Sequence, residues 1–251
     1  KKPVRRKQRK TAHSKIIGHS TPRLEGPEKV SGRAVYAADV VLPDMLWAKV
    51  LRSPIPYGRI RKIDTSLAEA LPGVHAVATG QDVKGRLIGR KIYDMPILAE
   101  DVVRFVGEKV AAVAAESEEI AEAALELIDV EYEELEPLLD PLAAAQPDAP
   151  LLDPRVQYYR GLLHPIDTPS NVFVNMTWQK GDIEAGFRHS DIIVENTFTT
   201  HAVHQAYIEP HACVVHARDS AGADLWACSK VPFALREQIA TAFDATPDEF
   251  V

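Results

Sequence analysis

The 251-residue chain is short of cysteine, has no long apolar run and carries no glycine-rich phosphate loop, and each shortage excludes a class of protein. Its two cysteines, Cys213 and Cys228, cannot build a disulfide scaffold or a four-cysteine metal site. The longest unbroken apolar stretch, Val110 to Ala115, falls far short of the ~20 residues that span a bilayer. The basic N-terminus leads into Thr11-Ala12-His13-Ser14-Lys15 and not into an apolar core, so no secretory signal is expected. Gly80, Gly85 and Gly89 match neither the P-loop nor the dinucleotide spacing. Together these shortages predict a reduced, cytoplasmic protein with no membrane partner.

What is present describes a globular chain, with 46% hydrophobic and 26% charged residues. The net charge of -7 hides an asymmetry. Residues 1 to 23 hold nine Lys or Arg and no acid, which leaves 20 basic against 36 acidic residues in the rest. So acidic a body is a poor partner for nucleic acid, and none is expected. Residues 1–24 read as a basic, flexible arm.

Strands are predicted at Leu46 to Arg52, stopped by Ser53-Pro54-Ile55-Pro56, and at Val74 to Thr79. Between them Thr65 to Leu71 reads as a helix, capped by Thr65 or Ser66 and ended by Pro72-Gly73. Gly80 to Glu100 reads mainly as loop. Residues 101–136 give the clearest unit. Lys109 to Ala115 is a buried strand, and Ser117 caps a helix with Glu118 and Glu119 in its first turn. Alternation then resumes at Ile128, Val130 and Tyr132, so the unit is close to strand–helix–strand, a βαβ arrangement. Eleven acids and no Lys or Arg lie between Glu116 and Asp140, and read as a solvated face.

Six prolines between Glu136 and Thr168 mark residues 146–170 as a linker that separates residues 25–145 from residues 171–251. Beyond it, strands are expected at Val172 to Trp178, Asp191 to Thr200, Ala212 to Ala217 and Asp224 to Cys228. A short helical turn is expected at Gly181 to Phe187 and a closing helix at Pro232 to Phe243.

His201, His204, Glu209, His211 and His216 crowd into sixteen residues. On a strand His201 and His211 would point away from His204 and His216, and the spacing is not H-E-x-x-H. They read as hydrogen-bonded histidines, with Glu209 a structural carboxylate bonded near the Pro210 turn. Cys228, beside Lys230, reads as a small packed thiol or as a thiol activated by the cation.

The order of segments resembles the molybdopterin-binding subunit of the xanthine dehydrogenase and aldehyde oxidase family. Gly26-Pro27-Glu28-Lys29-Val30-Ser31-Gly32-Arg33 through Leu46 resembles its opening, and Leu51-Arg52-Ser53-Pro54 its next signature. Phe105 to Glu116 and Ile128 to Leu135 resemble the end of its α/β hammerhead domain. His204-Gln205-Ala206-Tyr207-Ile208-Glu209-Pro210-His211-Ala212 is similar to the first signature of the molybdopterin domain that follows.

The resemblance implies an α+β fold. Residues 25–145 would form the hammerhead domain, and residues 171–251 the N-terminal portion of a mixed α/β molybdopterin-binding domain. It implies part of the catalytic subunit of a molybdenum hydroxylase. Such an enzyme oxidises an aldehyde, purine or N-heterocycle with water as the oxygen source, on a molybdopterin (cytosine dinucleotide) cofactor. Electrons would leave through iron–sulfur clusters to FAD on partner subunits or domains. In the family the glycine-rich pterin loop and the catalytic glutamate lie past the position of Val251. These residues alone are therefore expected to hold no catalytic residue, no metal ligand and no bound cofactor. Lys230 stands where the family has a glutamine near the metal, and is the one cofactor-binding candidate. A non-catalytic structural or assembly module of such a complex remains the other reading.

Overall fold

The computed structural model describes residues 18–172, 174–218 and 221–251. Most of the arm, residues 1–17, and Phe173 of the expected strand at Val172 to Trp178 lie outside them. A short helix α1 (Gly26–Val30) precedes strands β1 (Trp47–Arg52) and β2 (Gly58–Asp64). Helix α2 (Ser66–Glu69) and strand β3 (Val74–Thr79) follow. Two-residue strands β4 (Leu87–Ile88), β5 (Met95–Pro96) and β6 (Val102–Val103) interrupt the loop before β7 (Lys109–Ala115), α3 (Glu118–Glu126) and β8 (Asp129–Glu134). The rest holds α4 (Pro141–Ala144), α5 (Ile183–Arg188), β9 (Cys213–Ala217), β10 (Ala223–Ala227) and α6 (Pro232–Ala242).

Strand β7 is the centre of one sheet, in the order β1-β7-β3, with both neighbours antiparallel. Its sequence KVAAVAA explains that place. Small and β-branched residues fit between two layers, and Ala111, Val113 and Ala115 turn one face toward Ala121 and Ala124 of α3. Val110 enters a second cluster with Ala99 and Val103 beneath β2 and β8. Helix α3 starts as expected: the Ser117 side chain accepts a hydrogen bond from the Ile120 amide.

Two expectations need correction. β7, α3 and β8 are not a βαβ unit, because β8 lies in another sheet, in the order β6-β2-β8, antiparallel to β2. The alternation of Asp129, Glu131 and Glu133 with Val130 and Tyr132 suits an antiparallel sheet with one wet face; a parallel strand would be apolar on both. Thr65 stands at the N-cap of α2 as expected, but its side chain accepts from no helix amide and donates to Glu69. The preceding Asp64 does the bonding, accepting from the Ser66 amide at 3.2 Å and the Ser66 hydroxyl at 2.6 Å. The Ser66 hydroxyl and Lys62 hold the Asp64 carboxyl down at about 2.

Strand β2 carries no strong apolar alternation, which is why sequence patterning passes over it. Its Arg59 and Arg61 both reach Glu133 on β8. Lys49 pairs with Glu118 and Glu122 on α3, and His75 with Glu116. Part of the acidic stretch is therefore matched by basic residues far away in sequence. Among the described residues no helix is long and apolar enough to cross a membrane.

The expected strands at Val172 to Trp178 and Asp191 to Thr200 carry no ladder among the described residues. Trp178 is 89% exposed and Phe198 87% exposed. A strand exists only with a partner, and β-propensity reports fit to a half-buried pleat rather than a backbone preference. No described segment supplies that partner.

Candidate functional site

The C-terminal segment holds a small core of its own. β9 and β10 form a hairpin, and Ala223 packs with Ala240 and Phe250. Helix α6 begins at Pro232, a residue pre-set for the first helical turn. Between β10 and α6 runs Cys228-Ser229-Lys230-Val231. Ser229 fixes this turn by accepting a hydrogen bond from the Val231 amide at 3.1 Å. Lys230 is exposed, with no hydrogen bond or ion pair to a described residue. Cys228 Sγ lies 3.7 Å from the Pro210 carbonyl oxygen, so it ties the hairpin to the preceding segment.

The five residues singled out around His201 fall into different settings. Only His216 is on a strand, opposite Asp224 at 3.8 Å. Tyr207 stacks on His211 at 4.5 Å between ring centroids and meets His204 at 5.2 Å. The His204 Nδ1 accepts from the Ala206 amide at 3.0 Å. Among the described residues no group of three or more His, Cys, Asp or Glu is placed to hold a metal ion. Glu209 departs from expectation. It makes no hydrogen bond or ion pair to a described residue, and faces a cavity of about 440 Å³ shared with Tyr36, Trp226, Cys228 and Ser229. Pro210 removes one backbone donor beside it.

A second site escaped the sequence. Asp153, half-buried at the start of an Asp-Pro turn, accepts from Arg155 at 2.8 Å and from Arg104 at 3.0 Å. Arg155 also reaches Glu100 at 3.3 Å. Burial by itself would raise the Asp153 carboxyl, but hydrogen bonds from Arg155 and Tyr159 and the charge of Arg104 bring it down to about 2. The network pins residues 153–155 to Glu100 and Arg104, on either side of β6. Gly161 completes the attachment: its φ is +86° and a Cβ there would collide with the Lys91 carbonyl oxygen. Arg104 and Asp153 are 49 residues apart, so only the Asp-Pro turn is legible locally.

Against known proteins, residues 31–136 match the model of the aldehyde oxidase and xanthine dehydrogenase a/b hammerhead domain. Residues 163–250 match that of the molybdopterin cofactor-binding domain. A probable xanthine dehydrogenase subunit from Bacillus subtilis is 39% identical over 92% of this chain and 29% of its own length. The nicotinate dehydrogenase large molybdopterin subunit of Eubacterium barkeri is 36% identical over 79% of this chain and 44% of its own length. Among solved structures, quinoline 2-oxidoreductase from Pseudomonas putida superposes with a TM-score of 0.76 at 31% identity, over 93% of this chain and 29% of that one. The aldehyde oxidoreductase from Desulfovibrio desulfuricans gives a TM-score of 0.79 at 26% identity, over 94% of this chain and 26% of that one. The chain thus spans less than half the length of these two curated relatives.

Proposed function

The chain belongs to the aldehyde oxidase and xanthine dehydrogenase family, and from that premise we propose that it is part of the catalytic subunit of a molybdenum hydroxylase. The carrying observation is that a hammerhead domain and a molybdopterin cofactor-binding domain follow one another in one chain, at 39% identity to a probable xanthine dehydrogenase subunit. The substrate class we infer is an aldehyde, purine or N-heterocycle, with water as the oxygen source. We place the hammerhead domain at residues 25–145, a proline-rich linker at 146–170 and the start of the cofactor domain at 171–251. Iron–sulfur and FAD-binding subunits would be the partners and the cytoplasm the compartment.

The described residues do not by themselves fit the cofactor. Molybdopterin offers phosphate and pterin edges that need several converging donors. Lys230 offers one exposed point charge, and the cavity beside it is faced by Glu209, which repels an anion. No step of the reaction is therefore assigned to this chain's side chains. Lys230 is proposed as one contact at the cofactor's edge, held in place by the Ser229 turn. In the complete complex the cofactor would supply redox capacity and an activated water.

The test uses the complete natural complex that contains this chain. Near-stoichiometric molybdenum by elemental analysis, with dye reduction on an aldehyde or purine, is expected. Lys230→Ala should lower turnover at unchanged molybdenum content. A complex that assembles without molybdenum would instead favour a structural or assembly module. The 251 residues purified alone are expected to carry no cofactor.

A further inference from the structure

The body and the linker enclose a cleft of about 280 Å³ that the proposed reaction leaves unused. Its walls include Met95, Phe105, Leu152 and Val156, and most of its surface is hydrocarbon. Arg104, Glu108, Lys109, Asp94 and Asp153 supply its charges.

The acids at its inner end are already bonded. Asp153 accepts from both Arg104 and Arg155, and Glu108 accepts from the Arg104 backbone amide. Arg104 is committed in turn, its Nη1 to the Val102 carbonyl at 3.3 Å and its Nη2 to Asp153, and its unpaired Nε is buried out of a ligand's reach. The Lys109 ammonium, in the wall of the cleft, makes no hydrogen bond or ion pair to a described residue. A half-buried cation without a partner is normally satisfied by protein, water or ligand. Burial, and then the neighbouring Arg52, both disfavour charge on Lys109, so an anion there would supply what the surrounding chain withholds. Asp94 forms no ion pair with either cation, so it weakens an anion's binding without neutralising the site.

We propose that this cleft binds an apolar monocarboxylate, its carboxylate meeting the Lys109 ammonium and its hydrocarbon body lying against Met95, Phe105, Leu152 and Val156. An ammonium donates to a carboxylate with a charge-assisted bond, and the apolar wall selects against small inorganic anions. The site is separate from the Glu209 cavity, so it stands whether or not the complex proves to be a molybdenum hydroxylase.

The test is equilibrium dialysis of the complete natural complex against 3-phenylpropionate. We expect saturable binding stoichiometric with this chain. We expect about tenfold or greater weakening in Lys109→Gln, and the same for 3-phenylpropanamide in place of the acid. Asp94→Asn should bind at least as tightly as the parent. Should Lys109→Gln fail to fold, Phe105→Ala serves, because Phe105 is half exposed and its loss should weaken binding without unfolding the chain. Absence of saturable binding at millimolar acid would overturn the proposal. So would equal binding of the amide, which means a neutral apolar site. Tighter binding of phenylalanine than of the acid would also overturn it, in favour of a zwitterion. An unchanged dissociation constant in folded Lys109→Gln would place the ligand elsewhere.

Discussion

Two stretches of the chain have comparable apolar content and opposite fates. From β1 to β8 the apolar residues find ladder partners and a helix, and Val103, Val110 and Val113 are fully buried. From residue 172 to residue 208, Met176, Ile192, Val194 and Phe198 stay in solvent. The difference is not composition. β7 has a neighbour on each side, and each neighbour lies in the described chain. The second stretch alternates as a strand should, yet among the described residues meets no edge to join. Exposed apolar surface on that scale marks a face that takes a partner.

One pair of substitutions would break this comparison most directly. Val113→Asp puts a carboxylate where the side chain is 1% exposed, and should cost about 4 kcal/mol or more, since the charge has no partner. Val194→Asp, at a side chain 76% exposed, should stay within about 0.5 kcal/mol in these 251 residues. Urea titration of both measures the gap. Equal losses would mean that the second stretch has a core.

The attachment of the Asp153 turn is next in size. Asp153→Asn keeps the shape and removes the charge that Arg104 and Arg155 share. The folded carboxyl titrates near 2 against an ordinary 3.8, a difference worth about 2 kcal/mol. Because the folded value is the lower one, this stability is fully present above the ordinary value and is lost as pH falls through about 2. The parent should therefore lose stability across that acid range more steeply than Asp153→Asn, as thermal melts at stepped pH would record. Parallel curves would show that the ion pairs contribute nothing net.

Arg86 links the first stretch to helix α6 instead. Its guanidinium donates to the Ala242 carbonyl at the end of α6, pairs with Asp244 at 3.2 Å and sits 5.5 Å from the Phe243 ring centroid. A cation there satisfies a terminal helix carbonyl and the helix dipole. Arg86→Ala should cost about 1–2 kcal/mol and raise amide exchange in α6 while leaving β7 unchanged. Exchange rising equally in β7 would mean that α6 and the first stretch unfold together.

How much of this is legible in the sequence follows the same division. β1, β3, β7, α3, β9, β10 and α6 are legible, because each carries its period and its stop signals within about ten residues. β2 is not, because Gly58-Arg59-Ile60-Arg61-Lys62-Ile63-Asp64 breaks alternation where its register with β8 shifts between Ile60 and Lys62. Its signal is charge: a basic strand facing an acidic one, visible only when both are compared. The membership of β8 is hidden too, since sheet order is a long-range fact. At the sites, Lys230 comes from family resemblance alone. Arg104, Asp153 and Lys109 have no local mark, and Glu209 runs against expectation because a Pro-adjacent carboxylate looks bonded until its neighbours are placed.

The smallest expected effect concerns the one helix whose start is legible from a single residue. Ser117 has extended backbone and its hydroxyl oxygen accepts from the Ile120 amide at 3.2 Å. Four amides at a helix start lack intrahelical acceptors, and this oxygen satisfies one of them. Glu118 and Glu119 remain in the first turn to meet the positive end of the dipole after the hydroxyl is gone. The helix is also held by Ala121 and Ala124 against β7, so it cannot simply fray. Ser117→Ala should therefore cost about 1 kcal/mol, and Ser117→Asp should restore it by the same geometry. Chemical denaturation of the three proteins tests this. If alanine costs nothing, packing on β7 alone fixes where α3 begins and the hydroxyl is incidental. If aspartate fails to recover what alanine loses, the extra carboxylate beside Glu118 and Glu119 repels more than the cap contributes.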